Sequence, residues 1–125
     1  METLDIYLAL RNFVNETEKR GLVYGTSFSE FLILRAINEQ GESGIRRVDL
    51  AEQVNLTISG VTRAIAPLEK QGYVQTLDEA GDARVRKVAM TKTGSELFKD
   101  IEKDVERQML NSHSRLHKML REITS

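Results

Sequence analysis

Between Arg47 and Gln71 the apolar residues keep helical spacing on both sides of a break that only Asn55 and Leu56 span. The first run, RVDLAEQV over 47–54, sets Val48, Leu50, Ala51 and Val54 on one side. The second, over 57–71, gathers Ile58, Val61, Ala64, Ile65 and Leu68 into one apolar face at roughly 100° per residue. Two helices joined so tightly must cross at a steep angle. Asn55 sits at the corner, and Asn tolerates left-handed backbone better than most residues with a Cβ. Thr57 is placed to cap the second helix.

The outward face of the 57–71 helix is unusual. It carries Ser59, Arg63, Ala66 and Lys70, flanked by Gly60 and Thr62. A solvated helix normally shows paired Glu and Lys there. Small hydroxyl residues lower helix propensity, so they need a reason. Close approach to a large partner is one. The major groove of B-DNA admits a single helix, with the residues near its N-terminus reaching the base edges. Thr and Ser can bond a phosphate or a base, and Arg can bond guanine with two hydrogen bonds. The plainer reading is that Thr57 and Ser59 form a cap and a turn, with Arg63 a surface charge. Pro67 removes the amide that would bond the Arg63 carbonyl, so a bend or loosened turn is expected there.

The rest of the chain is helical on either side of one β segment. Leu4, Tyr7, Leu8, Arg11 and Val14 lie along one line, widened by Leu10 and Phe13, until Gly21 and Gly25 interrupt the pattern. Ser27-Phe28-Ser29-Glu30 reads as a capping box ahead of a helix ending near Glu39. After Gly72, residues 73–77 and 84–90 are strand-like and separated by a turn at 78–82, which makes one hairpin. Thr91 is expected to cap a long helix with Leu97, Ile101, Val105 and Met109 in line. That stripe has little to bury against in a small monomer and points to a dimer. A break is expected at Asn111-Ser112-His113-Ser114, followed by a short last helix.

The chain has 125 residues, no Cys, one Pro and a net charge of −1. Disulfides and thiolate chemistry are therefore excluded, and bulk charge does not direct the chain to nucleic acid. Its distribution adds a bias: residues 46–92 hold eight basic and six acidic side chains, a balance of +2, and are the only net-basic third. In the hairpin Arg84, Arg86 and Lys87 follow the turn, with Lys92 beyond, and no acid intervenes between Arg84 and Lys92. Asp82 could orient the Arg84 guanidinium by an ion pair. Cations at a hairpin tip suit a narrow, negative minor groove. They equally protect an edge strand against aggregation.

Together, SFSEFLILRAI, VDLAEQVNLTISGVTRAIAPLEKQGYV and DARVRKVAMTKTGSELF resemble the MarR family of winged-helix regulators, over about residues 27–98. The wing pattern of that family is matched by Asp82, Arg84, Val88, Met90, Thr91 and Gly94. The resemblance implies a mainly α fold with a small β-hairpin wing: a dimerisation helix over 1–25, a winged helix-turn-helix domain over 26–92, and dimerisation helices over 93–125. It implies a homodimer that binds a pseudo-palindromic stretch of double-stranded DNA, most often as a repressor. The helix at 57–71 would enter the major groove through Thr57, Ser59, Gly60, Thr62 and Arg63. The wing would reach the minor groove through Arg84, helped by Asp82, Arg86 and Lys87. The sequence departs from the family pattern at the cap before the third helix, which is Arg46 and not a hydroxyl; Arg46 and Arg47 would contact phosphates instead. It departs again at Ala83, where a basic residue is common, and in its short terminal helices.

Family members often bind small aromatic or anionic effectors, and Tyr7, Arg11, Tyr24 and Arg35 would line such a cleft. The two tyrosines suit a dimer core equally well. His113 and His117 have i,i+4 spacing, which a zinc ion can use, but no third ligand is near them in sequence, so no metal or cofactor is expected. No phosphate loop, nucleophile motif or metalloprotease helix occurs, which argues against an enzyme. The alternative to a DNA-binding regulator is a winged-helix module for protein interaction. No apolar run approaches the ~20 residues of a membrane span, and the acidic amphipathic N-terminus is unlike a signal peptide, so a cytoplasmic protein without membrane contact is expected.

Overall fold

The computed structural model describes residues 2–20, 26–79 and 82–124, with the side chains of all of these except 17, 20, 79, 82–85, 108–117, 119, 120, 123 and 124. The elements run α1 (Glu2–Arg20), α2 (Phe28–Gln40), a 3-10 turn (Gly41–Ser43), β1 (Ile45–Arg46), α3 (Arg47–Val54), α4 (Ile58–Lys70), β2 (Val74–Glu79), β3 (Asp82–Met90) and α5 (Lys92–Thr124). The expected interruption at Gly21 and Gly25 lies outside the described residues.

Hydroxyl caps start three of the helices. The Glu30 amide donates to Ser27 Oγ at 3.0 Å, the Gly60 amide to Thr57 Oγ1 at 2.9 Å, and the Gly94 amide to Thr91 Oγ1 at 3.0 Å. At α3 the capping position is Arg46, whose side chain makes no capping bond.

The corner between α3 and α4 is a left-handed closure. Asn55 adopts φ 58° and ψ 45°. The Leu56 amide donates to the Ala51 carbonyl at 2.9 Å and the Asn55 amide to the Glu52 carbonyl at 3.3 Å. Those two bonds satisfy carbonyls that a helix end otherwise leaves open. The exit of α4 repeats the device with Gly72 at φ +83°, the Tyr73 amide donating to the Leu68 carbonyl and the Gly72 amide to the Glu69 carbonyl.

The sheet is antiparallel with order β1-β3-β2. The hairpin is present, and Val74 pairs with Met90 and Asp78 with Arg86. A third strand, which the sequence did not reveal, joins it: Ile45 pairs with Val88 and Arg46 with Lys87. Two residues are too short a run to show alternation. Gly44, at φ +74°, brings the chain so close to β3 that a Cβ there would lie 3.0 Å from the Val88 carbonyl oxygen.

Ile33, Leu34, Ile37, Leu50, Val61, Ile65, Val88 and Ile101 are fully buried and form one core. Phe31 stacks on Phe98 with centroids 5.6 Å apart, which seats the first part of α5 on α2.

Two expectations change. The Leu97–Met109 stripe is not left over for a partner along its whole length, because Ile101 and Val105 are buried within the single chain. Met109 lies outside the described side chains. The break at 111–114 is absent, and α5 is one helix of 33 residues. Asn, Ser and His lower helix propensity by only tenths of a kcal/mol each, and neither Gly nor Pro is there to stop the chain. Pro67 falls inside α4, which runs as helix from Ile58 to Lys70. Pro67 and Arg63 are both exposed.

Thr91 binds the end of the wing to the end of α4. Its hydroxyl donates to the Gly72 carbonyl at 2.6 Å, and its amide donates to the Tyr73 carbonyl at 3.1 Å. Gly94 lies against the same segment, and a Cβ there would overlap the Tyr73 carbonyl, 2.7 Å from its carbon. Gly94→Ala is therefore expected to lower unfolding free energy by about 2 kcal/mol or more, measured by urea denaturation, because the obstacle is backbone and cannot rotate away. Thr57→Ala is expected to cost about 1 kcal/mol in the same measurement, the value of a lost cap.

Candidate nucleic-acid interface

The surface of α4 divides sharply. Val61, Ile65 and Leu68 are buried, and Gly60 and Ala64 are half-buried. Ser59, Thr62, Arg63, Ala66 and Pro67 are exposed. This places Ser59, Thr62 and Arg63 together on the open face, as expected. Thr57 is also exposed, but its hydroxyl is engaged as the cap. Gly60 belongs to that cap: a Cβ there would sit 3.1 Å from Thr57 Oγ1.

One residue falls on the other side from its expected place. Ile58, assigned by periodicity to the core face, is 52% exposed. It is the first residue of the helix, and its Cα–Cβ bond tilts toward the N-terminus. The side chain therefore projects past the layer that Val61 and Ile65 fill. Its position three residues after Asn55, directly after the Thr57 cap, is the signal that could have shown this.

Electrostatics set α4 apart. First-turn acids are present in α1 (Glu2, Asp5), α2 (Glu30) and α3 (Asp49), where they complement the positive end of the helix dipole. The first turn of α4 has none, and no acid occurs from Ile58 to Leu68. In α5, which also lacks a first-turn acid, the Gly72 and Tyr73 carbonyls supply the negative partner. Among the described residues, no carbonyl takes that place at α4.

The wing is β2 and β3. Asp82 and Arg84 lie at the start of β3, close to the turn, and their side chains are outside those described, so the expected ion pair between them is too. Arg86 is not unopposed, contrary to the sequence expectation. Its Nε lies 3.4 Å from Asp78 Oδ1, directly across the ladder. Freedom from acid along one strand does not hold for its neighbour. Lys87 is half-buried on the far side of β3, in register with Arg46 of β1. Arg46 Nε donates to Asp49 Oδ2 at 3.0 Å, so its charge is shared with the first turn of α3, while Arg47 is half-buried at the start of that helix. Arg46, Asp49, Glu52, Gln53 and Lys87 line an open cleft of about 560 Å³.

The residues suggested for an effector are less gathered. Tyr7 and Arg11 stand exposed on α1, and Arg35 is exposed on α2 with Glu39 at 3.4 Å. None of them lines the cleft just described. Tyr24 is outside the described residues, as are the side chains of His113 and His117. Among the described residues, no group of three metal-ligating side chains occurs, and no helix is long and apolar enough to cross a membrane.

Comparison with known proteins agrees with this geometry. Residues 27–85 match the model of the MarR family. The chain is 33% identical over 105 residues to YxaD of Bacillus subtilis, an uncharacterised HTH-type transcriptional regulator, and the match covers 82% of this chain and 71% of YxaD. In fold it is similar to the transcriptional regulator BldR from Sulfolobus solfataricus, with a TM-score of 0.82 at 21% identity over 98% of this chain and 92% of BldR. It is similar also to a mutant MarR from Escherichia coli complexed with operator DNA, with a TM-score of 0.74 at 18% identity over 99% of this chain and 96% of that one. The chain belongs to the MarR family, whose members are transcriptional regulators and not enzymes.

Proposed function

We propose that this protein is a sequence-specific DNA-binding repressor that acts as a homodimer on a pseudo-palindromic operator. The observation that carries the reading is the face of α4. From Ser59 to Ala66 it exposes small side chains and one guanidinium, and no acid occurs from Ile58 to Leu68. A phosphate-lined groove penalises a carboxylate at every position on such a face, whereas a protein partner gives no reason to exclude one. In this reading Ser59, Thr62 and Arg63 enter the major groove with Gly60 and the Thr57 cap close behind. The wing carries Arg84 to the minor groove, with Asp82, Arg86 and Lys87 around it, and Arg46 and Arg47 lie toward the flanking phosphates.

The homodimer is supported by α1. Leu4, Ile6, Tyr7, Leu8, Leu10 and Val14 are between 39% and 57% exposed in the single chain. They cover more than half the circumference of that helix, and a helix so apolar needs burial on more than one side. A second copy, engaging α1 and the distal part of α5, supplies it. Two α4 helices held about one DNA turn (~34 Å) apart then match a symmetric site. A dimer seated on an operator that overlaps a promoter excludes other proteins from that stretch, which is the route to repression in this reading.

Selection of bound fragments from random duplexes is expected to return an inverted repeat with half-sites centred about 10 base pairs apart. Arg63→Ala is expected to cost about 1–3 kcal/mol and to relax preference at one base pair of each half-site. Arg84→Ala is expected to weaken binding without that relaxation at the major-groove positions. An unenriched pool would overturn the reading. The dimer has its own test: Leu4→Glu with Leu8→Glu is expected to give a monomer in analytical ultracentrifugation, while the core melts normally.

A further inference from the structure

The edge of α4 carries an apolar side chain that neither core nor cap accounts for. Ile58 is 52% exposed, and Thr62 stands one helical turn above it on the same side. Ile58 continues without interruption into the Ser59, Thr62 and Arg63 surface, and no charged side chain separates them in sequence before Arg63. A β-branched residue is a poor choice at an exposed helical position, since it lowers helix propensity and gains no burial there. Its helical neighbours Ser59 and Thr62 are small, and about half of the side chain stays open among the described residues, within reach of a partner. Within a major groove the apolar groups are the C5 methyls of thymine, set at the groove edge beside the bases that polar side chains read.

We infer that Ile58 is a specificity-determining residue that packs against a thymine methyl group in each half-site. This rests on the DNA-binding reading given above and goes beyond it in naming the base and the chemical group recognised. Ser59, Thr62 and Arg63 supply hydrogen bonds, and Ile58 supplies the apolar contact that tells thymine from cytosine at its position. The expected size is that of one buried methyl, about fourfold in affinity per half-site.

The test uses the full chain and a duplex recovered by selection from random DNA. Each thymine of one half-site is replaced in turn by uracil, which keeps the base pair and removes only the methyl. At one position the replacement is expected to weaken wild-type binding about fourfold. In Ile58→Ala the same replacement is expected to have no effect, because the contact is already lost, and Ile58→Val is expected to retain most of it. Thermal melting and sedimentation of both variants are expected to match wild type, as the side chain supports neither core nor dimer. If no thymine is sensitive to uracil, or if the sensitivity persists in Ile58→Ala, the inference is wrong while DNA binding stands. If Ile58→Ala dissociates the dimer, the side chain belongs to a protein interface and the inference is again wrong. If no duplex is bound at all, the parent reading fails and this one fails with it.

Discussion

The hydroxyl of Thr91 reaches three elements at once. It accepts from the Gly94 amide to begin α5, and it donates to the Gly72 carbonyl just past the end of α4. Its own amide bonds the Tyr73 carbonyl where β2 is about to start. The absence of a Cβ at Gly94 lets α5 approach that carbonyl closely enough for these bonds to form. This ties the end of α4, the start of β2 and the start of α5 to one residue. In the proposed reading α4 and the wing address different grooves of one duplex, and their separation is held by this joint. The Thr-x-x-Gly pattern after the wing therefore has a mechanical meaning as well as a family one.

A second constraint acts at the other end of α4. The helix must start abruptly, so that its first turn projects from the body and does not lie along it. Asn55 in the left-handed region achieves this, and the paired bonds from Leu56 and Asn55 close α3 so that the corner leaves no open carbonyl there. Thr57 then supplies the acceptor that α4 would otherwise take from an acid. The hydroxyl cap leaves the helix N-terminus positive and unblocked. A first turn without an acid forgoes the dipole complement present in α1, α2 and α3, and in the proposed reading this suits an anionic partner.

Most of this was readable from residues. The helical periods, the three hydroxyl caps, the Asn55 corner and the hairpin follow from local rules, and those rules hold because each acts within one turn of chain. What was not readable depended on contacts between distant segments. The strand at Ile45–Arg46 exists only because β3 lies beside it. Burial of Ile101 and Val105 depends on where α2 lies, and the Arg86–Asp78 pair on the register of the hairpin. The exposure of Ile58 is a case where periodicity points to the wrong side, since the apolar face of a helix stops where its supporting layer stops. Of the interface, the outward position of Ser59, Thr62 and Arg63 was legible and the compensation of individual cations was not.

Ser59→Glu tests, with two readouts of opposite sign, whether the acid-free face of α4 meets nucleic acid. A carboxylate in the first turn complements the helix dipole and should raise stability by about 0.3–1 kcal/mol. On the same face it should repel phosphates and abolish binding to the selected duplex at low salt. A more stable protein that no longer binds is the result the account requires. A more stable protein that binds as tightly as before would place the nucleic-acid surface elsewhere.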